Sequence, residues 1–212
     1  MEDYELDILI GKGPSARSIR ISLPKFTLIG ATTRTGLITS PLRSRFGVIT
    51  RVGYYQENEL EQIVIRSSKI LKVKITEEAA KKISLRSRGT PRIANRLLRR
   101  LRDYAQIKGE GVINKEIADY GLKMMEIDDF GLYDVDKKLL LTIVEKFSGG
   151  PVGLQTLAAS ISEDTDTVCD VYEPYLLQKG FLRRTPKGRV ATDLTYEYLG
   201  KKRKNDTQGK LL

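Results

Sequence analysis

The sequence predicts a small α/β segment, then an all-helical bundle, then a winged helix-turn-helix. Three observations lead there. Before residue 52, short stretches alternate or run apolar with strand character. From Glu57 onward the apolar residues recur at helical spacing. Beyond Asp128, three helical stretches precede two strand-like runs around Pro186-Lys187-Gly188.

Taken in order, Leu6-Asp7-Ile8-Leu9-Ile10 and Ser18-Ile19-Arg20-Ile21-Ser22-Leu23 flank a Gly-Lys-Gly-Pro-Ser link and read as a β-hairpin. Residues 26–30 read as a short buried-type strand completing the α/β remnant. With so few strands, its apolar surface is expected to be partly uncovered, giving poor solubility or a need for partners. From residue 57 to about 125, Leu60, Ile63, Val64 and Ser67 mark one helix face, and Ala79, Ala80 and Ile83 begin another. Thr90 before Pro91 reads as a helix start, with a capping hydroxyl and proline at the first position. The helix that follows turns Ile93, Leu97, Leu98 and Leu101 inward and Arg96, Arg99, Arg100 and Arg102 elsewhere.

A boundary is expected near residues 127–131. Helices follow over 136–147, 153–161 and 163–179, the last with Val168, Val171, Tyr172, Tyr175 and Leu176 on one side. Pro174 should kink or restart it, since it removes an amide donor. Residues 181–192 form two short strands around the Pro-Lys-Gly turn, making a module that commonly docks on DNA. The tail from Lys201 is polar, basic and expected to be disordered.

The chain has 212 residues, enough for one large or two small domains. It is 40% hydrophobic and 30% charged, the balance of a soluble globular protein, and no apolar run approaches the ~20 residues of a membrane span. Met1 is followed at once by Glu2 and Asp3, unlike a secretory leader. One cysteine, Cys169, and no histidine exclude an internal disulfide, a zinc site and a histidine-dependent triad, and fit a reducing cytoplasm. A net charge of +10 points to a polyanion, most simply nucleic acid. Seven arginines and no acid lie between residues 86 and 102, and eight basic residues against Asp193 and Glu197 lie between 181 and 204.

Chemistry is suggested by Leu28-Ile29-Gly30-Ala31-Thr32-Thr33-Arg34 followed by Pro41-Leu42-Arg43-Ser44-Arg45-Phe46-Gly47. Hydroxyls after a strand can orient a water, and arginines on an exposed corner can neutralise phosphoryl charge in a neighbouring site. The bland alternative is a turn-capping threonine and solvated loop arginines. No Gly-x-x-x-x-Gly-Lys-Ser/Thr loop occurs, and no apolar strand ends in Asp-Glu to hold magnesium. Gly11-Lys12-Gly13 lacks the flanking pattern and reads as a turn.

Six blocks in order carry a resemblance to one family. They are Met1-Glu2-Asp3-Tyr4, Ile10-Gly11-Lys12-Gly13-Pro14-Ser15-Ala16-Arg17-Ser18-Ile19, the Gly30 to Arg34 segment, Gly89-Thr90-Pro91-Arg92-Ile93-Ala94-Asn95-Arg96, Gly149-Gly150-Pro151-Val152-Gly153-Leu154 and Arg184-Thr185-Pro186-Lys187-Gly188-Arg189. Together they make the chain resemble RuvB, the AAA+ ring motor that drives branch migration of Holliday junctions in recombination, repair and the SOS response. The resemblance implies a C-terminal part lacking both nucleotide motifs. Residues 1–52 would be the remnant of the AAA+ large subdomain, 53–127 the helical lid, 128–200 a winged-helix DNA-binding domain and 201–212 a basic tail.

It also implies roles. Thr33 matches sensor 1, and Arg45 the arginine finger that reaches a neighbouring subunit's ATP, although Ser44 stands where the family has aspartate. Arg92 matches sensor 2, while Tyr55 and the Glu2, Asp3 and Tyr4 segment match nucleotide contacts. Ile19 and Ile21 match the docking patch for RuvA, or else pack on absent parts of their own domain. Arg184 and Arg189, supported by Arg183 and Lys187, match DNA contacts on the wing. The complete protein would need ATP and Mg2+, form a hexameric ring in the cytoplasm, engage duplex DNA at a junction held by RuvA, and have no membrane segment. This chain alone is expected to be inactive and to bind neither ATP nor Mg2+ tightly. The rival reading is a non-catalytic winged-helix DNA-binding module, or a defective subunit competing with the intact motor.

Overall fold

The computed structural model describes residues 4–11, 17–32 and 34–203, with the backbone alone for Leu9. The chain divides into two compact units, Met1–Gly53 and Tyr54–Leu212.

In the first unit β1 (Glu5–Ile10) and β2 (Arg17–Ser22) pair antiparallel. Leu6 stands opposite Ile21 and Ile8 opposite Ile19, so the hairpin gathers these apolar residues on one face. Most of the link between the strands, 12–16, lies outside the described residues. Residues 26–30 are not a strand, contrary to the sequence expectation: β1 and β2 pair only with each other, so the segment has no ladder to join. Ile29 is 89% exposed there. A 3-10 turn (Thr35–Leu37) leads into the short helix α1 (Ser40–Ser44), which has Pro41 in its first turn. No described side chain between residues 4 and 53 is buried, as expected of an uncovered α/β remnant.

The second unit begins with the lid, formed by α2 (Glu57–Ile70), α3 (Glu77–Leu85), α4 (Pro91–Lys108) and α5 (Lys115–Met124). The Gln56 amide donates to Glu59 Oε2 at 2.8 Å, and the Thr76 hydroxyl accepts from the Ala79 amide at 3.3 Å, so local chemistry starts both α2 and α3. The core holds Leu60, Val64, Ile83, Leu97, Leu98 and Leu101, with Ser68 buried rather than Ser67. The lid is not purely helical. β3 (Lys74–Ile75) and β4 (Val112–Ile113) form a two-residue parallel pairing too short to give a periodic signal. Thr90 precedes α4 as expected, yet its hydroxyl does not cap the helix; it donates backwards to the Ser87 carbonyl at 3.2 Å.

The winged helix packs a second core around Leu139, Leu140, Ile143, Leu157, Leu176 and Phe181. Its helices are α6 (Asp134–Lys146), α7 (Leu154–Ile161), α8 (Thr165–Thr167) and α9 (Glu173–Gln178). Between α8 and α9 the chain widens into a π turn, Val168–Tyr172, directly before Pro174. The turn accommodates the proline's missing amide without ending the helix, and its extra residue shifts the helical phase. Val171, expected inside, is therefore exposed, while Glu173 is buried. The wing is β5 (Leu182–Thr185) and β6 (Gly188–Ala191), with Val152 bridging Arg189 on the far side of β6. A last helix, α10 (Asp193–Tyr198), follows and was not signalled by the sequence pattern.

Candidate nucleic-acid interface and the joint behind it

The wing turns on two residues, Pro186 and Lys187, between Thr185 and Gly188. Gly188 has φ +135°, and a Cβ there would lie 2.3 Å from the Val152 carbonyl oxygen, so the close approach of the third strand requires glycine. Strand alternation then sorts the cations. Arg184 and Arg189 stand opposite one another on the inner face with Leu182 and Ala191, and Arg183 points the other way.

Both inner arginines converge on one carboxylate. Arg184 donates from Nε to Glu173 Oε1 and from Nη2 to Oε2, each at 2.8 Å. Arg189 donates from Nε to Oε1 at 2.9 Å and from Nη2 to Oε2 at 3.0 Å. The Glu173 side chain is 1% exposed, Arg189 16% and Arg184 52%. Burial alone would raise the Glu173 pKa, but the two guanidinium groups outweigh it and hold the carboxyl below its ordinary value. The same carboxylate raises the Arg184 pKa. Arg183 and Lys187 are exposed, and no ion pair engages them among the described residues. Pattern reasoning missed Glu173, because the π turn rotates it inward.

The charge distribution is a surprise. Residues 128–200 carry twelve acidic and eight basic residues, so the winged helix is net acidic and the basic excess lies elsewhere. Nor is the run from 86 to 102 one cationic surface. Arg86 and Arg88 are buried and bind the segment entering the winged helix. Arg86 donates to the Asp128 carbonyl at 3.1 Å and pairs with Asp129. Arg88 donates to the Gly131 carbonyl at 2.8 Å, pairs with Asp136, and lies between the rings of Tyr133 and Tyr175, 4.4 and 4.6 Å from their centroids. Asp136 also accepts from the Tyr133 amide at 2.8 Å. Burial pushes the Asp136 pKa up against the pull of Arg88, and its Oδ1 has no partner among the described residues. The Tyr175 hydroxyl donates to the Phe130 carbonyl at 2.6 Å, and burial pushes its pKa up to about 12.

This joint lies just before the start of α4. Gly89 has φ +69°, accepts from the Tyr55 amide at 2.9 Å, and leaves no room for a Cβ beside Tyr54. Arg92 then projects, exposed, from the first turn of α4, and Tyr55 is also exposed, so Gly89 links these two expected nucleotide contacts. In the first unit Arg45 is exposed at the C-terminal end of α1, and the Ser44 hydroxyl donates to the Pro41 carbonyl at 3.1 Å. Ile19 and Ile21 are exposed alongside Leu6 and Ile8. Tyr4 packs edge-on against Phe26, with centroids 5.9 Å apart. Glu2, Asp3 and Thr33 lie outside the described residues. The sequence has no Gly-x-x-x-x-Gly-Lys-Ser/Thr loop, and the described residues hold no acidic cluster suited to a metal. None of its helices is long and apolar enough to cross a membrane, among the described residues.

A hairpin-bearing α/β segment, a helical lid and a winged helix, in that order, are the parts of an AAA+ fold with a C-terminal winged helix. Residues 1–52 match the model of the Holliday junction DNA helicase RuvB P-loop domain, 55–128 that of the RuvB AAA lid domain and 129–200 that of the RuvB C-terminal winged helix domain. The structure of the Thermotoga maritima RuvB Holliday junction branch migration motor is similar, with 49% identity and a TM-score of 0.79 over 85% of this chain and 60% of that one. A point mutant of the same protein matches with 49% identity and a TM-score of 0.79, over 86% and 61%. The chain belongs to the RuvB family. It spans about 60% of the length of these solved relatives.

Proposed function

We propose that this chain is the C-terminal part of an ATP-dependent DNA translocase that drives Holliday junction branch migration in the cytoplasm. The carrying observation is the unbroken order of three RuvB-family segments along one chain, 49% identical to a solved branch migration motor. In this reading 1–52, 53–127, 128–200 and 201–212 are large-subdomain remnant, lid, winged helix and basic tail. Thr33 and Arg45 serve hydrolysis, Arg45 across a subunit boundary in a hexameric ring. Glu2, Asp3, Tyr4, Tyr55 and Arg92 contact ATP, which with Mg2+ is bound only by the completed motor. The hairpin face with Ile19 and Ile21 docks RuvA, and the wing with Arg183, Arg184, Lys187 and Arg189 holds duplex DNA.

The absence of a Gly-x-x-x-x-Gly-Lys loop supports a second statement: alone, the chain binds DNA but does not hydrolyse ATP. The test joins it to the phosphate-loop segment of a RuvB relative. DNA-stimulated hydrolysis should appear in the joined protein and not in the chain alone. Arg45→Ala should then remove it while nucleotide binding persists, in keeping with the roughly 10³-fold or larger effect of an arginine finger. Normal hydrolysis by the Ala variant in an assembled ring would refute the finger assignment.

A further inference from the structure

The helix that carries Arg92 begins without the devices that usually fix a helix end. Thr90 makes no side-chain cap, Pro91 has no amide to offer, and no acid stands in the first turn of α4. The direction of that turn is set from behind, by the connection out of α3. Arg88 and Gly89 are both left-handed there, with φ +52° and +69°. Among the described non-glycine residues with positive φ, Arg88 alone is buried. A side chain in this region is disfavoured and persists where its surroundings hold it. Here the winged helix supplies the surroundings: the Gly131 carbonyl, Asp136 and the rings of Tyr133 and Tyr175.

The same turn is tied forward. The Thr90 amide and hydroxyl both donate to the Ser87 carbonyl, at 2.9 and 3.2 Å. The Gly89 carbonyl accepts from the Tyr55 amide at 2.9 Å, and the Thr90 carbonyl accepts from the Ala94 amide at 3.1 Å. A rotation at Arg88 therefore swings the peptide that holds Tyr55 and the turn that carries Arg92. We propose that Arg88 is a positioning residue for the nucleotide site: gripped by the winged helix, it fixes the left-handed turn that seats Tyr55 and aims Arg92. The winged helix thus serves as a brace for groups borne by the lid. This inference rests on the reading of Arg92 and Tyr55 as nucleotide contacts, and adds which residue orients them and which domain holds it. The demand on geometry is severe, since a misplacement of about 1 Å near reacting groups can cost on the order of 10²-fold in rate.

The experiment has two arms. In the full chain, amide hydrogen exchange by NMR should show Tyr55, Thr90 and Ala94 protected to within about tenfold of the Tyr133 amide, as one unit with the joint rather than as a fraying helix end. Arg88→Met with Asp136→Asn keeps an apolar stem between the rings and an acceptor for the Tyr133 amide, but removes the fork that grips the winged helix. Replacing both members of a buried pair should leave the urea midpoint near that of wild type. Protection at Tyr55, Thr90 and Ala94 should nevertheless fall by about tenfold or more, with Leu98 and Leu101 unchanged. In the chain joined to the phosphate-loop segment of a RuvB relative, the same double variant should bind ATP within about three-fold of wild type, yet hydrolyse it about tenfold or more slowly per bound nucleotide. Arg92→Ala in that protein is the control and should also slow hydrolysis. Wild-type protection at the three amides more than about tenfold below that of Tyr133 would overturn the inference, and this comparison decides even where the double variant fails to fold. An equal fall at Leu98 and Leu101 would overturn it as well, by showing general loosening. Normal hydrolysis by the double variant beside an impaired Arg92→Ala would sink the inference and leave the reading of Arg92 intact. Normal hydrolysis by Arg92→Ala would remove that reading and the inference with it.

Discussion

Arg88 and Asp136, separated by 48 positions in sequence, form a buried ion pair at the seam between lid and winged helix. Each is over-determined. Two tyrosine rings and the Gly131 carbonyl hold the guanidinium, and the Tyr133 amide holds the carboxylate. Arg96 adds a second cation beside Tyr133, donating to its hydroxyl at 2.7 Å. Four residues beyond Arg88 lies Arg92, so the segment that seats the winged helix also seats the first turn of α4.

Arg88→Ala leaves Asp136 buried without its cation, and we expect a loss of about 3–5 kcal/mol in urea unfolding. Arg88→Lys should recover little of this, since an ammonium cannot stack between two rings while donating in a planar fork. Asp136→Asn in the Arg88→Ala background should restore part of the loss by removing the orphaned charge. Full stability in Arg88→Ala would show that the seam is held by apolar packing alone.

Glu173 predicts an acid dependence with a defined sign. Its folded pKa lies below the unfolded value of 4.5, so its contribution is present above pH 4.5 and is lost as pH falls through the folded value. Removing the charge by Glu173→Gln leaves two guanidinium groups competing for an amide, a loss of about 1–3 kcal/mol at neutral pH. The difference between wild type and Glu173→Gln should shrink below pH 4.5. Parallel pH profiles of the urea midpoint would contradict the assignment.

Gly188→Ala should destabilise the wing by about 2 kcal/mol or more, since the backbone is in a region disfavoured for L side chains and the added carbon meets the Val152 backbone. The loss should register in thermal unfolding and in hydrogen exchange of the Val152 and Arg189 amides, which bond across this junction at 3.0 and 2.8 Å. Unaltered exchange at both would mean that the third strand does not depend on glycine.

Much of this architecture is legible in the sequence, because most of its helices bury regular stripes. Leu60 and Val64, Leu97 and Leu101, and Leu140 and Val144 repeat at four-residue spacing and are all buried. The wing is legible from its turn chemistry. What escapes has identifiable causes. The π turn before Pro174 breaks the phase, exposing Val171 and burying Glu173. The pairing of Lys74–Ile75 with Val112–Ile113 is too short for period and distant in sequence. Arg86 and Arg88 sit in a run of arginines, and composition cannot tell a cation facing water from one buried against an acid more than forty residues away. The candidate site suffers from the same blindness. Arg184 and Arg189 are readable as wing cations, but their shared carboxylate is readable only in three dimensions.

The two units should respond differently to protease. Unfolded backbone is what a protease captures, and protection follows from buried contacts and satisfied hydrogen bonds. Among its described residues, the segment from 23 to 53 has a 3-10 turn and one five-residue helix but no buried side chain. It also presents Lys25, Arg34, Arg43, Arg45 and Arg51 at exposed positions. From Tyr54 onward the chain has two apolar cores joined by the buried Arg88–Asp136 ion pair. Brief trypsin treatment should therefore cut within residues 25–51 and leave a fragment containing the lid and winged helix intact, identifiable by mass spectrometry. Because the lost segment adds no core, the fragment should unfold at the same urea concentration as the full chain, within error. First cleavage inside 57–200, or a large fall in the fragment's midpoint, would show that the second unit does not stand on its own two cores.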